Sequence, residues 1–275
     1  MEKIPFYKMS GAGNDFIVID NREGIVSAPD LPAFVARVCR RKMSVGADGL
    51  FLLEPSDQAD FKWQFFNSDG SVAEMCGNGA RCVSRFAWLT GMTGPTLSFE
   101  TLAGIISATV NGDQVKIRMT DPHDLVLQAE LNLSSGLLAC SRVNTGVPHV
   151  VIEVKDIETV DVFGLGREIR RHPDFIPAGT NVNFIAPLDQ DLYAIRTYER
   201  GVEDETLACG TGNTAAALVL AAKYGLPSPV TFRTRSKSLL KVHFTKDNGS
   251  WSDVYLEGDA RVVYVGEMGE EAWSY

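Results

Sequence analysis

The chain has no apolar run long enough to cross a bilayer. Its strongest, Ala215 to Ala222, falls far short of the roughly 20 residues a spanning helix needs. It also lacks an excess of positive charge. Lys and Arg number 26 against 35 Asp and Glu, a net charge of -9, the wrong sign for phosphate backbones or anionic lipid surfaces. Neither nucleic acid nor a membrane is therefore expected as a partner. Met1 to Asp20 has no uninterrupted apolar core of the kind a signal peptide carries, so the expected location is cytoplasmic. The 5 cysteines are odd in number and scattered, which suits reduced thiols better than a disulfide framework. No Cys-x-x-Cys and no paired-His spacing occurs, so no metal site is expected.

Two cofactor signatures fail on inspection. No lysine stands out as a Schiff-base former with a supporting phosphate loop, which argues against pyridoxal phosphate. Gly210-Thr211-Gly212-Asn213-Thr214-Ala215 fits a dinucleotide fingerprint but lacks an acidic ribose partner about 20 residues on. The expectation is an enzyme or binding protein without a cofactor.

What is present describes an ordinary globular protein, 45% hydrophobic and 22% charged, able to bury a core. At 275 residues it is long for one compact domain, and two are expected. Short β-branched or aromatic runs bounded by Gly, Asn, Asp or Pro predict strands at 4–8, 16–20, 49–53 and 61–66, with a helix over 31–42. Strands at 96–100, 104–110 and 114–119 follow, the last two joined by Asn111-Gly112-Asp113, a hairpin signal. Asp121-Pro122-His123-Asp124 then punctuates the chain and divides it into halves 1–120 and 121–262, with 263–275 returning to the first. The second half predicts strands at 138–143, 149–154, 183–186 and 192–197 and helices at 162–171 and 212–224.

The two halves share one feature. Phe65-Phe66-Asn67 leads to Cys76-Gly77-Asn78-Gly79, and Thr197-Tyr198-Glu199 leads to Cys209-Gly210-Thr211-Gly212. In each, a strand is followed by a turn and then Cys-Gly-x-Gly at the start of a helix, which suggests duplication. The fold class expected is α+β: two pseudo-symmetric domains, each a mostly antiparallel sheet or barrel around a central helix, with the site in the cleft between them. A thiol at a helix start sits against unpaired N–H groups and the positive dipole end, which favour thiolate. The glycines after it let a carboxylate approach the same amides. Two such thiols suit a reaction that removes a proton from one face of a carbon and returns one to the other. Cys76 and Cys209 are thus candidate acid–base residues, whereas Cys39, Cys82 and Cys140, within apolar stretches, read as core filler.

Met9-Ser10-Gly11-Ala12-Gly13-Asn14-Asp15-Phe16, Gly46-Ala47-Asp48-Gly49, Phe66-Asn67-Ser68-Asp69-Gly70, Glu74-Met75-Cys76-Gly77-Asn78-Gly79-Ala80-Arg81-Cys82, Gly179-Thr180-Asn181 and Glu199-Arg200 with Ala208-Cys209-Gly210-Thr211-Gly212 together resemble the diaminopimelate epimerases. The resemblance implies a homodimer that needs no cofactor and converts LL- to meso-diaminopimelate in lysine and peptidoglycan precursor synthesis. It implies that Cys76 and Cys209 are the two bases and that Gly77, Asn78, Gly210 and Thr211 supply amides to the reacting carboxylate. It further implies that Asn14 touches the substrate near its reacting end, and that His149 and Glu199 flank the thiols, orienting the ammonium or assisting proton movement. Asn67, Asn181 and Arg200 would grip the distal amino and carboxylate groups. Two positions depart from the family pattern: Val147 stands where many members carry Asn, and Gly49 where some carry Gln. A proline or hydroxyproline racemase of the same fold, or a thiol redox or binding protein, are the competing readings.

Overall fold

The computed structural model describes residues 3–27, 29–247 and 249–275. They form two compact units, Met1–Ile117 with Asp259–Tyr275, and Arg118–Gly258. In chain order the first unit contains β1 (Ile4–Gly11), β2 (Asn14–Asp20), α1 (Leu31–Val38), β3 (Gly49–Glu54), β4 (Phe61–Asn67), α2 (Gly77–Leu89), β5 (Thr96–Thr101), β6 (Gly104–Asn111) and β7 (Gln114–Arg118). The second contains β8 (His123–Leu133), β9 (Gly136–Asn144), β10 (Pro148–Glu153), α3 (Val162–Arg170), β11 (Asn181–Asp189), β12 (Leu192–Glu199), β13 (Asp204–Thr206), α4 (Gly210–Tyr224), β14 (Val230–Arg233), β15 (Leu239–Asp247) and β16 (Ser250–Asp259). The last strand, β17 (Arg261–Met268), returns to the first unit against β1.

Strand pairing repeats between the units. The first runs β17-β1-β2-β3-β4-β5-β6-β7, parallel only at β2–β3 and β4–β5. The second runs β8-β9-β10-β11-β12-β14-β15-β16, parallel only at β10–β11 and β12–β14. Antiparallel neighbours can be joined by tight turns, but each parallel pair needs a longer crossover. Helices α1 and α3 supply the first crossover of each unit, and α2 and α4 the second. The result is an α+β protein of two topologically equivalent, mostly antiparallel units.

The crossover helices differ in how they are buried. In α1 one face is apolar, with Phe34, Val35 and Val38 packed in the first unit's core beside Ile17, Leu50 and Leu52. By contrast, residues 78–84 of α2 and 212–221 of α4 are buried without a break. A helix buried all round must be enclosed. Accordingly α2 packs on the neighbouring strands β1 and β2 and on β6, four strands further along the sheet order, and α4 packs on β8, β9, β10, β11, β14 and β15. The alanines of α4 keep it thin enough to be enclosed, and Gly225, at φ 70°, ends it in the left-handed conformation that glycine adopts without cost. Next to α2, Phe51 stacks on Phe65 at 4.3 Å and Phe61 on Phe99 at 5.3 Å.

The helix at 31–42 is shorter than its sequence predicts. It ends at Val38, and Lys42 takes φ 71°. No apolar residue between 40 and 42 extends the buried face, and Arg41 turns instead to the carboxylates of Asp15 and Asp48. The eleven-residue β8 lies where the sequence reading placed only punctuation, yet Leu125, Leu127, Ala129, Leu131 and Leu133 recur there at every second position and form the less exposed face of the strand.

Candidate active site

Asp30 and Asp161 cap α1 and α3, each accepting a backbone N–H from the third residue on. Cys76 and Cys209 occupy the same position on α2 and α4. Sulfur is a weak acceptor, and Ser, Asp and Asn are the side chains that ordinarily cap a helix start. Thiols at both equivalent caps therefore serve something other than helix stability.

In the first unit, the Cys76 Sγ accepts from Gly79 N at 3.4 Å. Gly79 is required there: a Cβ would lie 2.3 Å from the Phe51 ring. Asn78 Nδ2 donates to Asn14 Oδ1 at 2.6 Å, and Asn14 Nδ2 donates to Asp48 Oδ2 at 3.2 Å. Arg81, with no exposed surface, donates from Nη2 to Asn78 Oδ1 at 2.9 Å and from Nη1 to Gly77 O at 3.3 Å. Burial pushes the Arg81 pKa down, and negative charge at Cys76 and Asp259 works the other way. A thiolate at Cys76 and the Arg81 cation thus favour each other. Beneath this set, burial pushes the Asp15 carboxyl up, but hydrogen bonds from Arg41 and Lys8 outweigh it and hold it below the usual carboxylate range.

In the second unit, the Cys209 Sγ lies 3.4 Å from Thr211 Oγ1, and Thr145 Oγ1 donates to Thr211 O at 3.1 Å. Burial raises the Glu199 pKa, against hydrogen bonds that include one with the Cys209 side chain. His149, in β10, pairs in register with Asn181 of β11. Its ring is 1% exposed, and burial, helped by the charge of Arg200, pushes its pKa down to about 3, so it is neutral near pH 7. Asn181 Oδ1 accepts the Arg200 backbone N–H at 2.7 Å, and Arg200 Nη1 donates to Ala178 O at 3.1 Å. One candidate stands apart: Asn67 is exposed and its Nδ2 donates to Ser71 Oγ at 3.0 Å across a turn.

The other cysteines differ in kind. Burial pushes the thiols of Cys39 and Cys82 up to about 12 and raises that of Cys140, which keeps all three neutral. Among the described residues, no group of three or more His, Cys, Asp or Glu is placed to hold a metal ion, and no helix is long and apolar enough to cross a membrane.

A sequence model of the family described as diaminopimelate epimerase matches residues 6–126 and 141–263. The chain belongs to the diaminopimelate epimerase family. It is 48% identical to the diaminopimelate epimerase of Aquifex aeolicus, over 98% of this chain and 99% of that one. It is 42% identical to that of Archaeoglobus fulgidus, over 96% of each. Among solved structures, a phenazine biosynthesis protein of the PhzF family from Bacillus anthracis superposes with a TM-score of 0.75 at 16% identity, covering 98% of this chain and 100% of that one. A hydroxyproline epimerase from Agrobacterium vitis superposes with a TM-score of 0.67 at 20% identity, covering 98% and 93%. At such identities these last two share the fold alone.

Two departures from the epimerase pattern have different physical weight. A Cβ on Gly49 would meet Phe66 O at 2.7 Å and the Phe65 ring at 2.9 Å, so the neighbouring strand leaves no room for Gln. Val147 is half-buried in the turn before β10 and brings no polar atom there. Arg81, Asn183 and Thr197 carry no role in the sequence reading, yet all three are buried among the candidates. Arg81 stands inside the Cys-Gly-Asn-Gly-Ala-Arg-Cys run, where a mid-helix arginine ordinarily signals a surface. Asn183 and Thr197 become visible only through the β11–β12 register, where they are partners.

Proposed function

We propose that the chain is a cofactor-independent isomerase that epimerises LL-diaminopimelate to the meso form, using Cys76 and Cys209 as paired acid and base. The observation that carries this reading is the placement of thiols at the two topologically equivalent helix starts, each followed by Gly-x-Gly. Removing an α-proton from an amino acid leaves an enolate-like dianion, which needs donors aimed at the carboxylate. The amides of Gly77, Asn78, Gly210 and Thr211 are suited to that task, and such preorganised donors supply several kcal/mol. A thiolate on one face and a thiol on the other add about 10²–10⁴-fold.

The surrounding residues take roles that fit their contacts. Glu199, hydrogen-bonded to Cys209, can exchange a proton with that thiol. Asn78 and Asn14, hydrogen-bonded to each other, would orient the reacting end. Arg200, Asn181 and Asn67 would recognise the distal groups, with the guanidinium forking onto a carboxylate. In this reading the protein works in the cytoplasm as a homodimer and serves lysine and peptidoglycan precursor synthesis.

The deciding experiment incubates reduced protein, without added cofactor, with LL-diaminopimelate and separately with hydroxyproline, followed by chiral chromatography. Formation of meso-diaminopimelate with hydroxyproline unchanged is expected. The reverse pattern would transfer the reading to a proline-type substrate, and no turnover of either would reject an epimerase.

A further inference from the structure

Two amides surround His149, and the backbone fixes how each is turned. Asn183 Nδ2 lies 2.9 Å from Val150 O and 3.1 Å from His149 Nδ1, while Asn183 Oδ1 accepts the Thr197 hydroxyl at 3.0 Å. A carbonyl oxygen can only accept, so the face of the amide turned to Val150 and the ring is its NH₂. That group has no acceptor to offer. The Nδ1 of His149 must therefore be the acceptor, and a neutral ring then carries its single proton on Nε2. Helix α4 holds the arrangement from the other side: a Cβ on Gly212 would come within 2.2 Å of Asn183 Oδ1.

The second amide is turned just as firmly. Asn181 Oδ1 accepts the Arg200 backbone N–H at 2.7 Å, which can only donate, so Asn181 Nδ2 is the atom 3.5 Å from His149 Nε2. At that separation two N–H donors are neighbours and not a hydrogen bond. Both residues are buried, 1% and 4% exposed, and buried donors call for an acceptor.

We propose that Asn183 is a positioning residue that holds His149 as the Nε2–H tautomer, so that His149 Nε2–H and Asn181 Nδ2 present a pair of donors to a carboxylate of the substrate. This rests on the proposed epimerase function and sharpens it. An ammonium group would meet N–H with N–H at this point, so His149 neither receives the substrate's ammonium nor acts as a base. Two nitrogens 3.5 Å apart can each donate to one oxygen of a carboxylate, or share a single oxygen.

The test reads the tautomer directly. Reduced protein labelled with ¹⁵N in its 4 histidines is examined at neutral pH by long-range ¹H–¹⁵N correlation, with His149 assigned by its loss in His149→Gln. The wild-type ring is expected to show a protonated Nε2 and a bare Nδ1. In Asn183→Asp, a near-isosteric change that puts a carboxylate oxygen opposite Nδ1, the ring should gain a proton on Nδ1. The kcat/KM for LL-diaminopimelate should fall about 10–100-fold with it. A wild-type ring protonated on Nδ1 would overturn the proposal without any variant having to fold. An Asn183→Asp protein that keeps the wild-type ring pattern while losing turnover would also overturn it, by making Asn183 merely structural. The expected wild-type spectrum in a protein with no epimerase turnover would uphold the tautomer and count against the function instead.

Discussion

Arg81 Nη2 donates to Asn78 Oδ1 at 2.9 Å from a side chain with no exposed surface, and the same guanidinium donates to the backbone carbonyls of Gly77 and Asp259. The turn that carries Cys76 is thus held by a buried cation. Arg81→Met should cost about 2–4 kcal/mol, because it leaves buried acceptors without their donor. Asn78, freed of its tether, should orient substrate less well. Thermal unfolding should show a midpoint lower by roughly 5–15 °C, and kcat/KM should fall at temperatures where the variant is folded. A midpoint within a degree of wild type would deny Arg81 this role.

Cys76→Ser and Cys209→Ser should each remove most turnover while leaving the melting midpoint near that of wild type. A serine hydroxyl is as good a helix cap as the thiol or better, but far too weak a base near neutral pH. Near-wild-type kcat/KM in either folded variant would rule out the two-thiol mechanism.

The helix starts were legible in the sequence because the signal is local. Cys-Gly-x-Gly announces both a helix N-terminus and an anion-accepting backbone, and it occurs twice after a strand. The α+β class followed from the same duplication and from short, turn-bounded strands. The surroundings of His149 were not legible, because they arise from register. His149 meets Asn181 across a parallel pair and Asn183 meets Thr197 across an antiparallel one, and no spacing along the chain encodes either. The role of Arg81 was hidden by its type, since a full charge is rarely enclosed on all sides.

Arg200→Lys should lower kcat/KM for diaminopimelate about 10–100-fold, expressed mainly in KM. An ammonium on a flexible stem cannot reproduce a planar guanidinium that forks onto a carboxylate while its Nη1 donates to the Ala178 carbonyl. Steady-state kinetics over a substrate series measures this, and an unchanged KM would take Arg200 out of substrate recognition.

His149 should contribute to acid sensitivity. Its pKa falls from 6.5 to about 3 in the folded protein, so between those values the unfolded chain binds a proton that the native ring refuses. Stability therefore drops as pH falls through this window, by up to about 1.4 kcal/mol per pH unit from this one group, and is unaffected by it above 6.5. Urea unfolding of wild type and His149→Gln from pH 7 to 4 should show the variant losing less stability on acidification. Parallel pH profiles would mean that the buried ring is protonated in the native state.

The path of the proton tests the mechanism most closely. Two separate bases require that one sulfur takes the substrate's α-proton while the other, carrying a proton already exchanged with solvent, delivers to the opposite face. In D₂O, LL-diaminopimelate sampled in the first turnovers should give meso product bearing deuterium at the inverted carbon, and recovered substrate should remain largely protiated. A single base serving both faces behaves differently, because the abstracted proton can return to either side and part of the product keeps it. Thiol protons exchange rapidly with open solvent, and a base shielded during the catalytic cycle would exchange more slowly. Early sampling by mass spectrometry, with both product and residual substrate isolated, separates these cases. Product that retains the original proton in high yield would defeat the assignment of Cys76 and Cys209 as paired bases, and deuterium in product ahead of substrate would sustain it.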